Sequence, residues 1–483
     1  MRRILPFGER SIEADLPDDT RIVGAPPSLP PLKDPAGAVR VALAEPVAHA
    51  PLADLVGHGA RVTIAFDDPT VTFLGAARPD PRETALGVLL DELTRAGVRP
   101  EDVRLICANA LHRRWTNGEL ATVVGPVIPY AFGPARFGCH DACDPEQLAY
   151  LGMTERGFEV EVSRAILDAD QFVYLNVSPS PFNGGWKSTV VGLSSFRSIR
   201  HHHRPFPFAT GRSVMDPRRS AFPKLLAELG RVLEKSLADR GRRLLQLECV
   251  LTSDLPGRPA FIAAGHPPEV HDRTIEALHR QHVVPVEGQT DALLLALPDA
   301  DPYSALSHPN PILMANAALG YAFALHMRRP LVHREGFVIV ANPFTLRFHP
   351  RHHRSYPEAY EALAATRDAV ELWDSHAEDF AARPEYVHAY RYQQSFHGAH
   401  PLFLWGQVMR SVAQVAGVLV AGGDPDVCAR LGFRAEPSVE TALEWVGAQL
   451  GRRLSLTWQP LPPLSIPEVR LPGDDGEPGG PDG

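Results

Sequence analysis

Hydrophobic and polar positions along this chain follow two rhythms. Arg61–Phe66 (RVTIAF), Val103–Ala108 and Gln171–Val177 (QFVYLNV) are short apolar runs rich in β-branched and aromatic residues, which predicts buried strands. Pro35–Leu43 and Thr84–Ala96 instead repeat apolar residues at helical spacing, the latter stopped by Gly97. Helices are also expected over Pro145–Leu151 and Ala221–Arg243. A second set begins near Leu244, with strands at Leu247–Thr252, Ala292–Leu297, Phe337–Ala341 and Val418–Ala421 and helices at Glu269–Gln281 and Pro311–Met327. Strands alternating with helices predict an α/β fold of two domains with mostly parallel sheets. The domains are expected over residues 1–245 and 246–466. Residues 467–483 are expected to be a disordered tail, since LPGDDGEPGGPDG offers no apolar face.

Three of the first-half strands run into polar clusters: Asp67-Asp68, His112-Arg113-Arg114, and the Ser178–Lys187 loop. Sites in open α/β sheets gather at the carboxyl ends of strands, so these clusters are candidates for one crevice. The plainer alternative is three unrelated surface loops.

Composition narrows the class. The 483 residues are 44% hydrophobic and 22% charged, as in a soluble globular protein, and disorder throughout is excluded. No apolar run reaches the roughly 18 residues a membrane helix needs, and acidic residues interrupt any signal core near the start. A cytoplasmic protein is expected, without membrane partners. The net charge of −9 gives no support to nucleic-acid binding. Five cysteines include no CxxC pair, and Cys139-His140-x-x-Cys143 lacks the second pair of a zinc site. Only four of the 48 basic residues are lysines: Lys33, Lys187, Lys224 and Lys235. In a chain that uses arginine for generic positive charge, Lys187 inside Asn183-Gly184-Gly185-Trp186-Lys187 points to a role for its amine. An exposed lysine or a simple anion-binding loop is the plainer reading.

At these residues the chain resembles the nickel-dependent lactate racemase family. The resemblance starts at Leu5-Pro6-Phe7-Gly8. It continues through Phe66-Asp67-Asp68-Pro69-Thr70, similar to the family's Asp-x-Thr-Arg segment, and Ala108–Arg113 with Thr116 and Glu119, similar to its His-Arg…Thr…Glu segment. His140-Asp141…Asp144…Leu148…Leu151-Gly152, Gly184-Gly185-Trp186-Lys187…Gly192-Leu193 and His201–His203 follow in order. The resemblance implies two α/β domains with the site in the cleft between them. It implies a nickel-pincer nucleotide (pyridinium-3,5-bisthiocarboxylic acid mononucleotide nickel) joined covalently through a thioamide to Lys187, and it thereby implies cofactor-building enzymes as partners. Gly184, Gly185, Trp186 and Thr70 are the implied cofactor contacts. Nickel would take one histidine from His201–His203, and the family spacing favours His203. His112 is the implied acid/base group for the hydroxyl of a 2-hydroxy acid, with Asp68 orienting hydroxyls of substrate or cofactor; Asp67 is the weaker candidate. The structural alternatives are a hydrogen-bonded loop histidine, a solvated histidine patch and a turn-capping aspartate.

The departures are as informative. Val71 stands where the family places arginine, Val177 where lactate racemase has a second acid/base histidine, Trp186 beside the lysine in place of arginine, and Asn183 in place of a nearby serine. Pro311–Ala318 offers no counterpart to a second-domain lysine. The expected activity is therefore racemisation or epimerisation of a 2-hydroxy acid other than lactate, with Trp186, Trp115 or Phe182 reshaping the pocket. Arg113, Arg114, Arg197, Arg200 and Arg204 are candidate replacement cations, Arg200 first. The alternatives are other hydride chemistry on the same cofactor, or a non-catalytic binding protein that keeps the fold.

Overall fold

The computed structural model describes residues 1–205, 213–305 and 307–474. Two six-stranded sheets organise it. In the first, the order is Pro259–Gly265, Leu244–Leu251, Gln171–Val177, Val62–Asp67, Val103–Ala108, Phe137–Cys139, and only the Leu244–Leu251/Pro259–Gly265 pair is antiparallel. In the second, all strands are parallel, in the order Arg434–Glu436, Gly417–Ala421, Val332–Ala341, Thr290–Ala296, Leu456–Trp458, Arg21–Ile22. This is the expected α/β class with mostly parallel sheets. Strand Val62–Asp67 is buried at every position, as a parallel strand covered on both faces must be.

The chain is threaded between the sheets more than a single crossing would require. Leu247–Thr252, expected among the second-half strands, overlaps strand Leu244–Leu251, which joins the first sheet. Arg21–Ile22 joins the second, and the Gly8 amide donates to the Leu297 carbonyl at 3.0 Å.

Three local expectations are corrected. Pro145–Leu151 is not a helix. A 3-10 turn at Pro145–Gln147, capped by Asp144, gives way to strand Leu148–Met153, which pairs antiparallel with Glu159–Ser163. Ladder bonds to that neighbour outweigh local helical spacing. Pro311–Met327 is not one α-helix: Pro311–Ala315 is α and Asn316–Ala322 widens into a π-helix. Such widening is rare and concentrates at functional sites. The expected tail starts later than residue 467, because Ile466–Arg470 forms a strand parallel to Val283–Glu287. The remainder of the tail, 475–483, lies outside the described residues. Among the described residues no helix is long and apolar enough to cross a membrane.

Candidate active site

Strands Gln171–Val177, Val62–Asp67 and Val103–Ala108 are neighbours and parallel, so their carboxyl ends open on one edge. The three polar clusters therefore meet. Residues from each of them line one side of a cleft of about 1320 Å³, counted with its open mouth. The other side comes from the second half of the chain: Tyr303, Asn316 and Tyr321, and Phe403, Gln407, Arg410 and Ser411 of helix His400–Val412. Among the expected site residues, Asp68, Thr70, His112, Gly184, Lys187 and His203 line the cleft. Gly185 and Trp186 do not. The Trp186 indole turns back against helix Ala221–Ala238, where a Cβ on Gly230 would lie 2.4 Å from it.

Asp67 and Asp68 sit where a strand stops and a turn begins. Arg82, itself 1% exposed, donates to both of their backbone carbonyls (3.0 and 2.8 Å) and pairs with Asp80, which fixes that turn. Asp68 is saturated. Its Oδ1 accepts from the Thr70 amide (3.1 Å) and hydroxyl, and its Oδ2 lies 2.8 Å from His112 Nδ1 and 3.2 Å from the Trp115 indole nitrogen that donates to it. Burial alone would raise its pKa, but the His112 charge and these hydrogen bonds carry it below the usual carboxylate value. An ionised Asp68 therefore accepts from His112 Nδ1–H and leaves Nε2 as the imidazole's free acid/base position. The Tyr303 ring packs edge-on against His112 at 4.9 Å.

Asp67 differs. Its carboxylate accepts from the Tyr174 hydroxyl (2.9 Å) and the Val177 amide (2.6 Å), yet burial pushes its pKa up to about 7. Lys187 moves the opposite way. Burial pulls its amine down to about 7 against the opposing pull of Asp67 and Asp68, and Nζ lies 3.7 Å from the centre of the Phe182 ring. A fraction of this amine is thus neutral near pH 7.

The glycines before Lys187 answer to space as well as backbone. Gly184 has φ +115°, and a Cβ there would lie 2.5 Å from His271 Nδ1 and 2.7 Å from Glu248 Oε1. Buried Glu248 accepts from the Gly185 amide at 2.7 Å, and its other oxygen lies 2.9 Å from His271 Nδ1. This pair, which the sequence reading missed, clamps the loop that presents Lys187.

The three consecutive histidines separate by environment. His201 stacks on Phe158 and lies 3.5 Å from Glu159, His202 is buried, and His203 lines the cleft. His202 and His203 share a 2.6 Å contact between their Nδ1 atoms. Burial holds His203 well below the usual imidazole pKa, with His202 and Lys187 acting the same way, so it is neutral. Among the described residues no group of three or more His, Cys, Asp or Glu is arranged to hold a metal ion. All five cysteines are free.

The candidate arginines are placed elsewhere. Arg113 pairs with Glu119 (2.7 Å), Arg114 with Asp141 (3.1 Å), Arg197 with Glu159 (2.5 Å) and Arg200 with Glu159 and Glu378 (2.7 and 2.9 Å). Neither these four nor Arg204 lines the cleft, whereas Val71 and Phe182 do. Trp115 reaches the site only through Asp68. Among the described residues the arginine that lines the cleft is Arg410, which the sequence reading also missed. Its signal was Gln407, Arg410 and Ser411 as a polar stripe on an otherwise apolar helix.

Residues 7–214 match the family model of the lactate racemase N-terminal domain. Over that stretch the chain is similar to the lactate racemases. It is 27% identical over 213 residues to lactate racemase from Thermoanaerobacterium thermosaccharolyticum and 23% over 206 residues to that from Lactiplantibacillus plantarum. Each match covers 41% of this chain and 46% of the relative, so it spans about half the length of these curated proteins. The fold extends the likeness. The lactate racemase apoprotein structure from T. thermosaccharolyticum superposes with TM-score 0.69 at 17% identity, over 97% of this chain and 100% of that one. A Thermotoga maritima crystal structure gives 0.59 at 14% identity, over 91% and 98%. Within the match to the racemase domain fall Asp68, Thr70, His112, the Gly184–Lys187 loop and His203; Arg410 falls outside it.

Proposed function

We propose that this protein is a nickel-pincer-nucleotide-dependent racemase or epimerase of a 2-hydroxy acid other than lactate. The observation that carries the reading is the meeting, in one cleft, of a half-buried amine, an Asp68-held imidazole and a neutral cleft-lining histidine: Lys187, His112 and His203. These residues fit the group. Lys187 offers a partly neutral amine for covalent attachment, and His203 offers an imidazole whose lone pair is not spent on a proton. The cleft that holds them is lined from both halves of the chain, with polar groups from each.

When bound, the nucleotide would supply a hydride acceptor for the α-carbon of the substrate. The chain's own residues do the rest. Asp68 fixes the His112 ring and tautomer, and Nε2 takes the hydroxyl proton and later returns it. Thr70 and Trp115 keep Asp68 ionised and immobile. Phe182 packs under the Lys187 amine and keeps water from it. Cofactor-building enzymes are the partners this chemistry requires.

A second reading, hydride chemistry without return to the opposite face, is favoured by the identity of position 177. Valine there provides no second imidazole, and burial raises the hydroxyls of Tyr303 and Tyr321 far above neutrality, which removes both as bases.

The test is co-production with cofactor-building enzymes, followed by intact mass and nickel analysis. Wild type is expected to carry a mass increment on Lys187 and nickel. Lys187→Arg, which keeps the charge but loses the amine, is expected to carry neither; covalent cofactor on that variant would refute the assignment. A panel of α-deuterated 2-hydroxy acids then separates the readings: inversion with loss of label means racemisation, and accumulation of a 2-oxo acid means one-way transfer.

A further inference from the structure

Helix His400–Val412 runs along the cleft and serves as a ruler. At its start the His400 ring lies 5.6 Å from that of His112. One turn on, the Phe403 ring lies 5.1 Å from that of His203. Further on, Gln407, Arg410 and Ser411 line the same cleft. Ten residues separate His400 from Arg410, a rise of about 15 Å at 1.5 Å per residue. Side chains along the helix lean toward its N-terminus together, so the two ends of this interval shift in the same direction. A carboxylate on the carbon that bears the reacting hydroxyl cannot span that interval.

The charge pattern of the two walls is equally uneven. Both carboxylates that line the cleft, Asp67 and Asp68, come from the first-half strand end. Among the described residues, the lining contributed by the second half includes Asn316, Gln407, Arg410 and Ser411 but no acid. Gln407 and Arg410 are three residues apart and share a helix face. Burial brings the Arg410 pKa down to about 10, so it stays charged at neutral pH. A partly desolvated guanidinium beside an amide donor selects anionic oxygens, which it can bind in bidentate fashion.

We propose that Arg410, with Gln407, forms an anion-binding subsite at the end of the cleft remote from His112, and that it holds the terminal oxyanion of the bound ligand. The chemistry is that of a phosphate or carboxylate on an extended molecule. Its two sources are the phosphate of a pyridine mononucleotide and a second acidic group at the far end of the substrate. The inference deepens the hydroxy-acid reading and rests on it for the second source only.

Two matched pairs of probes distinguish the sources: nicotinic acid mononucleotide against nicotinic acid riboside, and 2-hydroxyoctanedioate against 2-hydroxyoctanoate. Within each pair only the terminal anion differs. Affinities are measured by calorimetry on the full chain, cofactor-free for the first pair and cofactor-loaded for the second, in wild type, Arg410→Gln and Arg410→Lys. Wild type is expected to favour the anionic member of one pair by about 10- to 100-fold. Arg410→Gln should erase that preference without changing affinity for the neutral-ended member, and Arg410→Lys should keep part of it, which separates charge recognition from a folding defect. Selectivity lost in the nucleotide pair assigns the subsite to a phosphate; selectivity lost in the acid pair assigns it to the substrate. Unchanged selectivity in Arg410→Gln, or no preference in wild type for either anionic member, overturns the proposal. Failure of the loaded protein to turn over any 2-hydroxy acid would refute the proposed function while leaving the cofactor-free comparison able to decide the subsite.

Discussion

Asp68 and Lys187 illustrate opposite uses of burial. Asp68 is stabilised as a carboxylate by four donors and is spent on His112, whereas Lys187 is left in apolar surroundings that favour its neutral form. Asp68→Asn is therefore expected to keep the fold but deny His112 its anionic partner, lowering kcat by about 100- to 10,000-fold, in the range of acid/base contributions. The check is a pH–rate profile on loaded protein; an unchanged profile would place Asp68 outside proton transfer. Lys187→Met should stabilise the cofactor-free protein near pH 6 by roughly 1–3 kcal/mol, since it removes a partly desolvated charged group. The sign with pH follows from linkage. The folded pKa of Lys187 is about 7 against 10.5 in the unfolded chain, so the native state forgoes a proton between those values. The destabilisation is full below pH 7 and fades as pH rises toward 10.5. The gain from Lys187→Met in denaturant unfolding should accordingly shrink between pH 7 and 10, and a gain that grew with pH would contradict the burial argument.

Elements rather than single side chains determine how the site is presented. The loop after strand Gln171–Val177 can carry Lys187 only because Gly184 occupies φ +115° against His271 and Glu248. Gly184→Ala combines a disfavoured backbone with a contact of 2.5 Å, and is expected to cost about 1–3 kcal/mol and to reduce covalent cofactor loading as measured by intact mass. Glu248→Gln leaves the half-buried His271 beside a neutral amide. Losing one member of such a pair typically costs about 3–5 kcal/mol. His271 has a raised pKa, so the pair's contribution is complete below about pH 6.5 and is lost as pH rises through the folded value. Much of this was legible in the sequence. Strands Val103–Ala108 and Gln171–Val177 fall where their apolar runs lie, and one of only four lysines marked the loop. What was not legible came from long-range partners. Pairing with Glu159–Ser163 turned an expected helix into strand Leu148–Met153, Gly230 drew Trp186 out of the cleft, and Glu248 and Arg410 acquire their roles only once distant segments meet.

The whole molecule divides the work of recognition between its halves, and this bears on substrate choice. The first half contributes His112, Lys187, His203 and the two aspartates; the second contributes aromatic rings at Tyr303, Tyr321 and Phe403 and, among the described residues, no acid. Val71 lines the first wall where lactate racemases are expected to carry an arginine, and an aliphatic side chain cannot pair with a carboxylate. Loss of one charged hydrogen bond in a closed site costs about 1.5–3 kcal/mol, or roughly 10- to 100-fold. Lactate has only a methyl group with which to recover that loss. An extended acid can recover it by covering the aromatic wall, at about 25 cal/mol for each Å² of apolar surface buried. Loaded protein is therefore expected to process lactate at least tenfold more slowly, in kcat/KM, than the best larger 2-hydroxy acid in a chain-length series. Val71→Arg should narrow that gap by restoring a cation to the first wall. If lactate proved as good a substrate as the longer acids, with Val71→Arg bringing no change, position 71 would carry no specificity and carboxylate recognition would have to reside wholly in groups common to every acid in the series.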